Sequence, residues 1–188
     1  MINRSLNCEK FITRDDDENE GAYIIEGYFS VFDSPYYIGE GMVETVSKGA
    51  FSETLGLDIR RLINHDSGLV IGRTKANTLE LFEDNHGLFG RIHINPKDTD
   101  AKNIYERVKR GDVSQCSFGF DILDEDTEIR EDGTVHFNIR KVKLYEVSIV
   151  TFPRYEETEV SARSKQAEDF RKAEAWRITM LKKLSQED

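Results

Sequence analysis

Only two cysteines, Cys8 and Cys116, occur in the 188 residues. They supply neither a disulfide framework nor a paired thiolate spacing for a metal. No apolar run approaches the ~20 residues needed to span a bilayer. The stretch from Met1 to Lys10 lacks the apolar centre of a secretory signal, so synthesis in the cytoplasm is expected. Positive charge is in deficit: the formal net charge is −10. That argues against nucleic acid as the main partner. Internal repeats and low-complexity tracts are absent, and so is Gly-x-Ser-x-Gly, the turn that displays the serine of many acyl hydrolases. What remains is 38% hydrophobic and 33% charged. A chain of this length forms one ordinary domain plus a tail or arm, and it can bury a core without staples.

Short strand signals dominate the body. Tyr23 to Phe32 alternates and is rich in aromatic and β-branched residues, and Asp33-Ser34-Pro35 ends it. Met42 to Val46, Ile59 to Ile63 and Gly68 to Thr74 are further strands, and Gly49 to Leu55 reads as a short helix. Leu79 to Phe82 and Leu88 to Ile94 flank a polar turn with a glycine, which predicts a hairpin. Asp98 to Arg110 is the clearest helix: Asp98 or Thr99 can cap it, basic residues close its last turn and Gly111 stops it. The next strand runs from Ser117 to about Leu123, with a charged excursion from Asp124 to Gly133. Val135 to Val142 and Leu144 to Val150 are read as two strands, ended by Pro153. From about Ser164 to Leu184 a highly charged helix carries a thin apolar stripe. The pattern predicts a mainly β (α+β) body, an antiparallel barrel or sandwich with helices around it, and not a βαβ series. The domain bounds expected are 1–163 for the body and 164–188 for the charged C-terminal helix, joined by a polar hinge at Val160 to Ser164.

The candidate chemistry begins at Asp112-Val113-Ser114-Gln115-Cys116-Ser117-Phe118-Gly119-Phe120. Ser117 enters a strand, and Gly119 marks a place where another backbone or a ligand approaches. A serine needs a base to become a nucleophile. Ser114 is the rival if the strand begins early, whereas alternation turns Cys116 away from the face of Ser117 as a small core residue. Of the four histidines, His65 stands apart: it follows an apolar strand, lies between Asn64 and Asp66, and is either a base or a turn residue. Glu146 shares a strand face with Leu144 and Ser148. It sits either at an edge facing water or in a cleft with a partner, since an unpaired buried carboxylate is costly.

Four segments together carry a resemblance. Leu62-Ile63-Asn64-His65-Asp66, Ile71-Gly72-Arg73-Thr74, Gly111-Asp112-Val113 with Ser117-Phe118-Gly119-Phe120, and Leu144 to Pro153 resemble the prohead proteases of tailed bacteriophages. Those are the maturation proteases of HK97-type capsids. Gly27-Tyr28-Phe29-Ser30 and Gly49-Ala50-Phe51 are similar to the opening of the same family, and the likeness covers roughly residues 10–160. The resemblance implies a serine endopeptidase with the β-barrel of the herpesvirus assembly protease. It implies Ser117 as nucleophile and His65 as general base. Where the herpesvirus relatives have a second histidine, this strand offers Glu146, which takes the third place; Arg154 in the following loop would serve the oxyanion, unless it is a plain surface arginine. No metal or other cofactor is implied. The implied substrates are scaffold segments of the major capsid protein and the chain itself, with homo-oligomers open and no nucleic-acid or membrane partner. The implied place is the bacterial host cytoplasm, inside assembling proheads. The competing reading is a non-enzymatic capsid-assembly or scaffold protein on a decayed protease fold.

Overall fold

The computed structural model describes residues 2–4, 11–16, 22–152 and 157–185. In chain order the strands are β1 (Ile2–Arg4), β2 (Ile12–Asp16), β3 (Ala22–Val31), β4 (Tyr36–Gly39), β5 (Met42–Val46), β6 (Arg60–Ile63), β7 (Asp66–Arg73), β8 (Leu79–Glu83) and β9 (Gly87–Ile94). Helix α1 (Thr99–Arg110), strands β10 (Gln115–Ile129) and β11 (Val135–Val150), and helix α2 (Glu157–Leu184) follow. One sheet has the order β1-β10-β11-β5-β4, with β6 and β7 added beside β11; the other is β2-β3-β9-β8. A single apolar core joins them, with Ile25, Phe29, Leu88 and Ile92 from one sheet and Phe118, Phe120, Val147 and Ile149 from the other.

Strand β11 organises the larger sheet. It pairs antiparallel with β10 along nearly its whole length. Its first half pairs parallel with β5, and its second half parallel with β6. The predicted break at Lys143 is absent, because bulges in the pairing with β10 absorb the irregular alternation there. The charged stretch after Leu123 is likewise no excursion. It continues β10 out to Ile129 as one arm of a long hairpin, its polar side chains outward. Gly49 to Leu55 forms hydrogen-bonded turns and not a helix. Gly49 at φ 88° sets a left-handed start that no helix continues. Helix α1 matches its signals: the Asp98 carboxylate accepts from the N–H groups of Asp100 and Ala101, and Gly111 closes it at φ 86°.

Helix α2 begins earlier than its sequence signals suggest and is continuous through 160–164, where a hinge is expected. Its first turns lie on the body. Ala167 is buried with Ile38, Met42, Val135 and Phe137. The buried Arg163 guanidinium reaches Glu44 Oε2 at 2.9 Å and Glu125 Oε1 at 3.0 Å, and lies 4.4 Å from the Phe137 ring centroid. Arg171 donates to the carbonyls of Gly41 and Gly133. Beyond it Trp176, Ile178, Leu181 and Leu184 are exposed.

Arg61 is the anomaly of the core. Its register places it beside Val147 and Gly72, on the apolar side of β6. It is completely buried between Phe29 and Phe11, 4.3 Å and 5.1 Å from the ring centroids. None of its three guanidinium nitrogens makes a hydrogen bond. Two aromatic faces return about 2 kcal/mol or somewhat more, against a desolvation penalty of several kcal/mol. Arg61→Met, similar in volume, is therefore expected to stabilise the fold by about 1–4 kcal/mol. A denaturant midpoint that rises at unchanged m-value is the expected reading; a falling midpoint would make the guanidinium a net structural asset.

Candidate active site

The neighbouring strands β10, β11 and β6 bring the site together. Ser117 stands directly opposite Ser148, and Gly119 opposite Glu146. Residues paired across an antiparallel ladder share a face. Ser117, Ser148 and Glu146 therefore lie on the side of the sheet away from Cys116, Phe118 and Val147, with no side chain at Gly119 to crowd the carboxylate. On the other flank of β11, Ser148 pairs with Leu62 and Ile149 with Ile63. That parallel register carries the end of β6 to the level of Glu146 and Ser148.

His65 is delivered there by a two-residue hairpin. Asn64 and His65, between Ile63 and Asp66, have φ of 53° and 62°, the left-handed pair of a type I′ turn. Asn suits the first position. Histidine at the second replaces the usual glycine and is strained. The turn is clamped to the end of β11: Asn64 N–H donates to the Ile149 carbonyl at 2.9 Å, and Thr151 N–H donates to Asn64 Oδ1 at 2.8 Å. Arg73, at the end of β7, braces the base of the hairpin with two bonds to Asp58, at 2.7 and 2.5 Å.

The result is a connected set. His65 Nδ1 is 2.7 Å from Glu146 Oε1. Ser148 Oγ donates to Glu146 Oε2 at 2.5 Å, and His65 N–H donates to Ser148 Oγ at 3.3 Å. Glu146 is buried, so it is no edge residue facing water, and both of its oxygens are engaged. Burial pushes the Arg61 guanidinium well below the usual arginine range, opposed by the charge of Glu146; Arg61 is paired with Val147 on the core face, next to the residue that carries the carboxylate. His65 Nε2 is covered and makes no hydrogen bond. Ser117 is fully covered as well.

Ser114 is exposed and precedes β10. Cys116 is buried on the core face, as alternation predicts, and it is disulfide-bonded, a pairing that the count of two cysteines did not point to. Arg154 and Cys8 lie outside the described residues. Among the described residues no three His, Cys, Asp or Glu side chains are grouped to hold a metal. Sequence reasoning missed the hydrogen bonds of Ser148 to Glu146 and His65, and the Asn64–Thr151 clamp. Alternation puts Ser148 on the face of Glu146, but only the pairing with β10 and β6 gives it partners.

Asp58 supplies a pH test of the brace. The Arg73 hydrogen bonds, opposed by burial and aided by Arg60, hold its pKa down at about 2, from an ordinary 3.8. A depressed carboxylate pKa stabilises the fold above the unfolded value, and the gain is lost as pH falls through the folded value. Stability is expected to drop between pH 3.8 and about 2, and Asp58→Asn should flatten that limb in urea titrations.

Comparison with known proteins decides the family. The chain matches the model of the family described as caudovirus prohead serine protease over residues 9–173. It belongs to that family. It is 29% identical over 143 residues to the prohead protease of Enterobacteria phage HK97, covering 74% of this chain and 59% of the relative's length. Among solved structures it is similar to the bacteriophage T4 capsid assembly protease, at 10% identity and a TM-score of 0.49, covering 79% of this chain and 96% of the other. The span matched to the prohead protease family takes in the Asn64-His65 turn, the start of β10 and the end of β11.

Proposed function

We propose that this prohead protease family member is a serine endopeptidase that cleaves scaffold segments of a major capsid protein, and itself, inside assembling proheads in the bacterial host cytoplasm. The observation that carries the reading is the 2.7 Å contact between His65 Nδ1 and Glu146 Oε1 beside the strand that bears Ser117. Ser117 Oγ attacks the scissile carbonyl, and His65 Nε2 takes its proton and later gives it to the leaving amine. Glu146 holds the Nδ1 proton and stabilises the imidazolium. Ser117 and His65 Nε2 are covered and must become accessible before a peptide can react there; catalytic hydrogen bonds commonly tighten only in the substrate complex. Arg154 is proposed as an oxyanion group. One core enclosed by two sheets supports the barrel of the herpesvirus assembly protease as the parent architecture.

The covered nucleophile also favours a second reading, a capsid-assembly protein whose protease fold has lost its activity. A labelled fluorophosphonate that modifies the wild type but not Ser117→Ala supports the enzyme. No labelling in either, under conditions where the capsid precursor is processed, removes Ser117 from the mechanism. Glu146→Gln keeps the shape but cannot hold the imidazolium, so peptide turnover is expected to fall by about a hundredfold to ten-thousandfold. Unchanged turnover takes Glu146 out of the triad. The distal part of α2, with Trp176, Leu181 and Leu184 exposed, is proposed as the delivery element, docking on the scaffold segment or another copy. Truncation after Lys172 keeps the docked turns, and should leave peptide cleavage intact while abolishing packaging into proheads.

A further inference from the structure

We infer that Ser148 is a positioning residue of this site, a fourth member that acts through both Glu146 and His65; the inference rests on the proposed Ser117–His65–Glu146 triad. Ser148 is completely buried, on the site face of β11. Its single hydroxyl does two things. It donates to Glu146 Oε2 at 2.5 Å, and it accepts the backbone N–H of His65 at 3.3 Å. A hydroxyl has one proton and two lone pairs, so both bonds are compatible, and the direction of each is fixed by the partner: a backbone N–H can only donate, and the proton of the hydroxyl is left for the carboxylate.

The geometry makes this more than a filled space. Glu146 could turn about its last bond and present either oxygen to His65. The bond to Oε2 pins that rotation and leaves Oε1 aimed at Nδ1. His65 sits at φ 62°, a conformation a non-glycine residue holds only when its surroundings enforce it. The bond from its N–H to Ser148 is one of those restraints, beside the Asn64 clamp. Ser148 is also the residue directly across the ladder from Ser117. One side chain therefore sets the rotation of the orienting carboxylate and the seat of the base. Alanine there would leave a carboxylate oxygen and an N–H buried without their partner.

The test uses the full chain and a labelled fluorophosphonate. Ser148→Ala should lower the maximal rate of inactivation by about tenfold to a hundredfold, the effect of one lost hydrogen bond to a charged group. The concentration for half-maximal rate should not change, because Ser148 touches no part of the reagent. Ser148→Thr, which keeps the hydroxyl, should recover most of the rate; Ser148→Cys, close in size but a weak donor, should behave like alanine. In proton NMR the His65 Nδ1–H is followed as a far-downfield resonance, expected in the wild type, absent in Glu146→Gln and displaced in Ser148→Ala and Ser148→Cys. If Ser148→Cys, or a folded Ser148→Ala, reacts at the wild-type rate with the resonance unmoved, the inference is overturned while the triad stands. If Glu146→Gln also leaves rate and resonance unchanged, it is the triad reading that fails.

Discussion

Ser117→Ala is expected to fold normally and to leave the capsid precursor unprocessed. The substitution removes one oxygen at a covered site and adds nothing, so the ladder with Ser148 survives. Loss of a nucleophile in a serine–histidine unit costs about a millionfold in turnover, and losing the base as well adds little, because the members act together. His65→Ala should therefore be nearly as inactive, and the double variant no worse than either single one. Ser114→Ala is the control. Ser114 is exposed and precedes β10, so its loss should leave turnover within a small factor of wild type. Peptide turnover by the purified chain and gel analysis of precursor processing read the same series. A Ser114→Ala variant that is dead, with Ser117→Ala still processing, would transfer the nucleophile to Ser114.

The largest effect on stability is expected at Arg163, on a helix whose far half is exposed. Its guanidinium is buried and bridges Glu44, itself buried, and Glu125. Arg163→Met deletes the cation and leaves the Glu44 carboxylate without its guanidinium in the interior. Breaking such a buried pair from one side costs about 3–5 kcal/mol. Arg163→Met combined with Glu44→Gln should recover a large part of that, since the neutral amide no longer needs the cation. Equilibrium unfolding of the two single variants and the double measures the coupling. If Arg163→Met unfolds at the wild-type denaturant concentration, the buried ion pair contributes nothing net, and α2 is held to the body through Ala167 and Arg171.

The local signals in the sequence carried the hairpins, the capped α1 and the mainly β class, because turn chemistry and alternation are written within a few residues. The face shared by Glu146 and Ser148 was legible for the same reason. What alternation could not give was the register between distant strands. The parallel pairing of Glu146 with Arg60 and Ser148 with Leu62 decides that His65 meets Glu146, and no local pattern encodes it. The charged run after Leu123 misled because its polar residues satisfy the outer face of a two-stranded arm as well as they would a loop. Arg61 was invisible for the opposite reason: an arginine next to Arg60 reads as surface, and only the fold places it in the core. The start of α2 was misplaced because Glu157 to Arg163 is polar, while its docking rests on Arg163 and Ala167, neither of which stands out in an apolar pattern.

The long reach of the His65–Glu146 contact also keeps time. The two residues are 81 positions apart, and among the described residues β6 pairs with β11 and with its own hairpin partner β7. During synthesis the turn that bears His65 emerges first and has no Glu146 to meet. Strand β10, which bears Ser117, follows, still without its ladder partner. Contacts of such separation form late, since chain closure must precede them. On the proposed Ser117–His65–Glu146 reading, a ribosome-bound chain that has not yet released β11 cannot cleave a peptide, whatever else it has folded. On that reading, a protease that must not attack its neighbours before they assemble has its first safeguard in the order of its own strands.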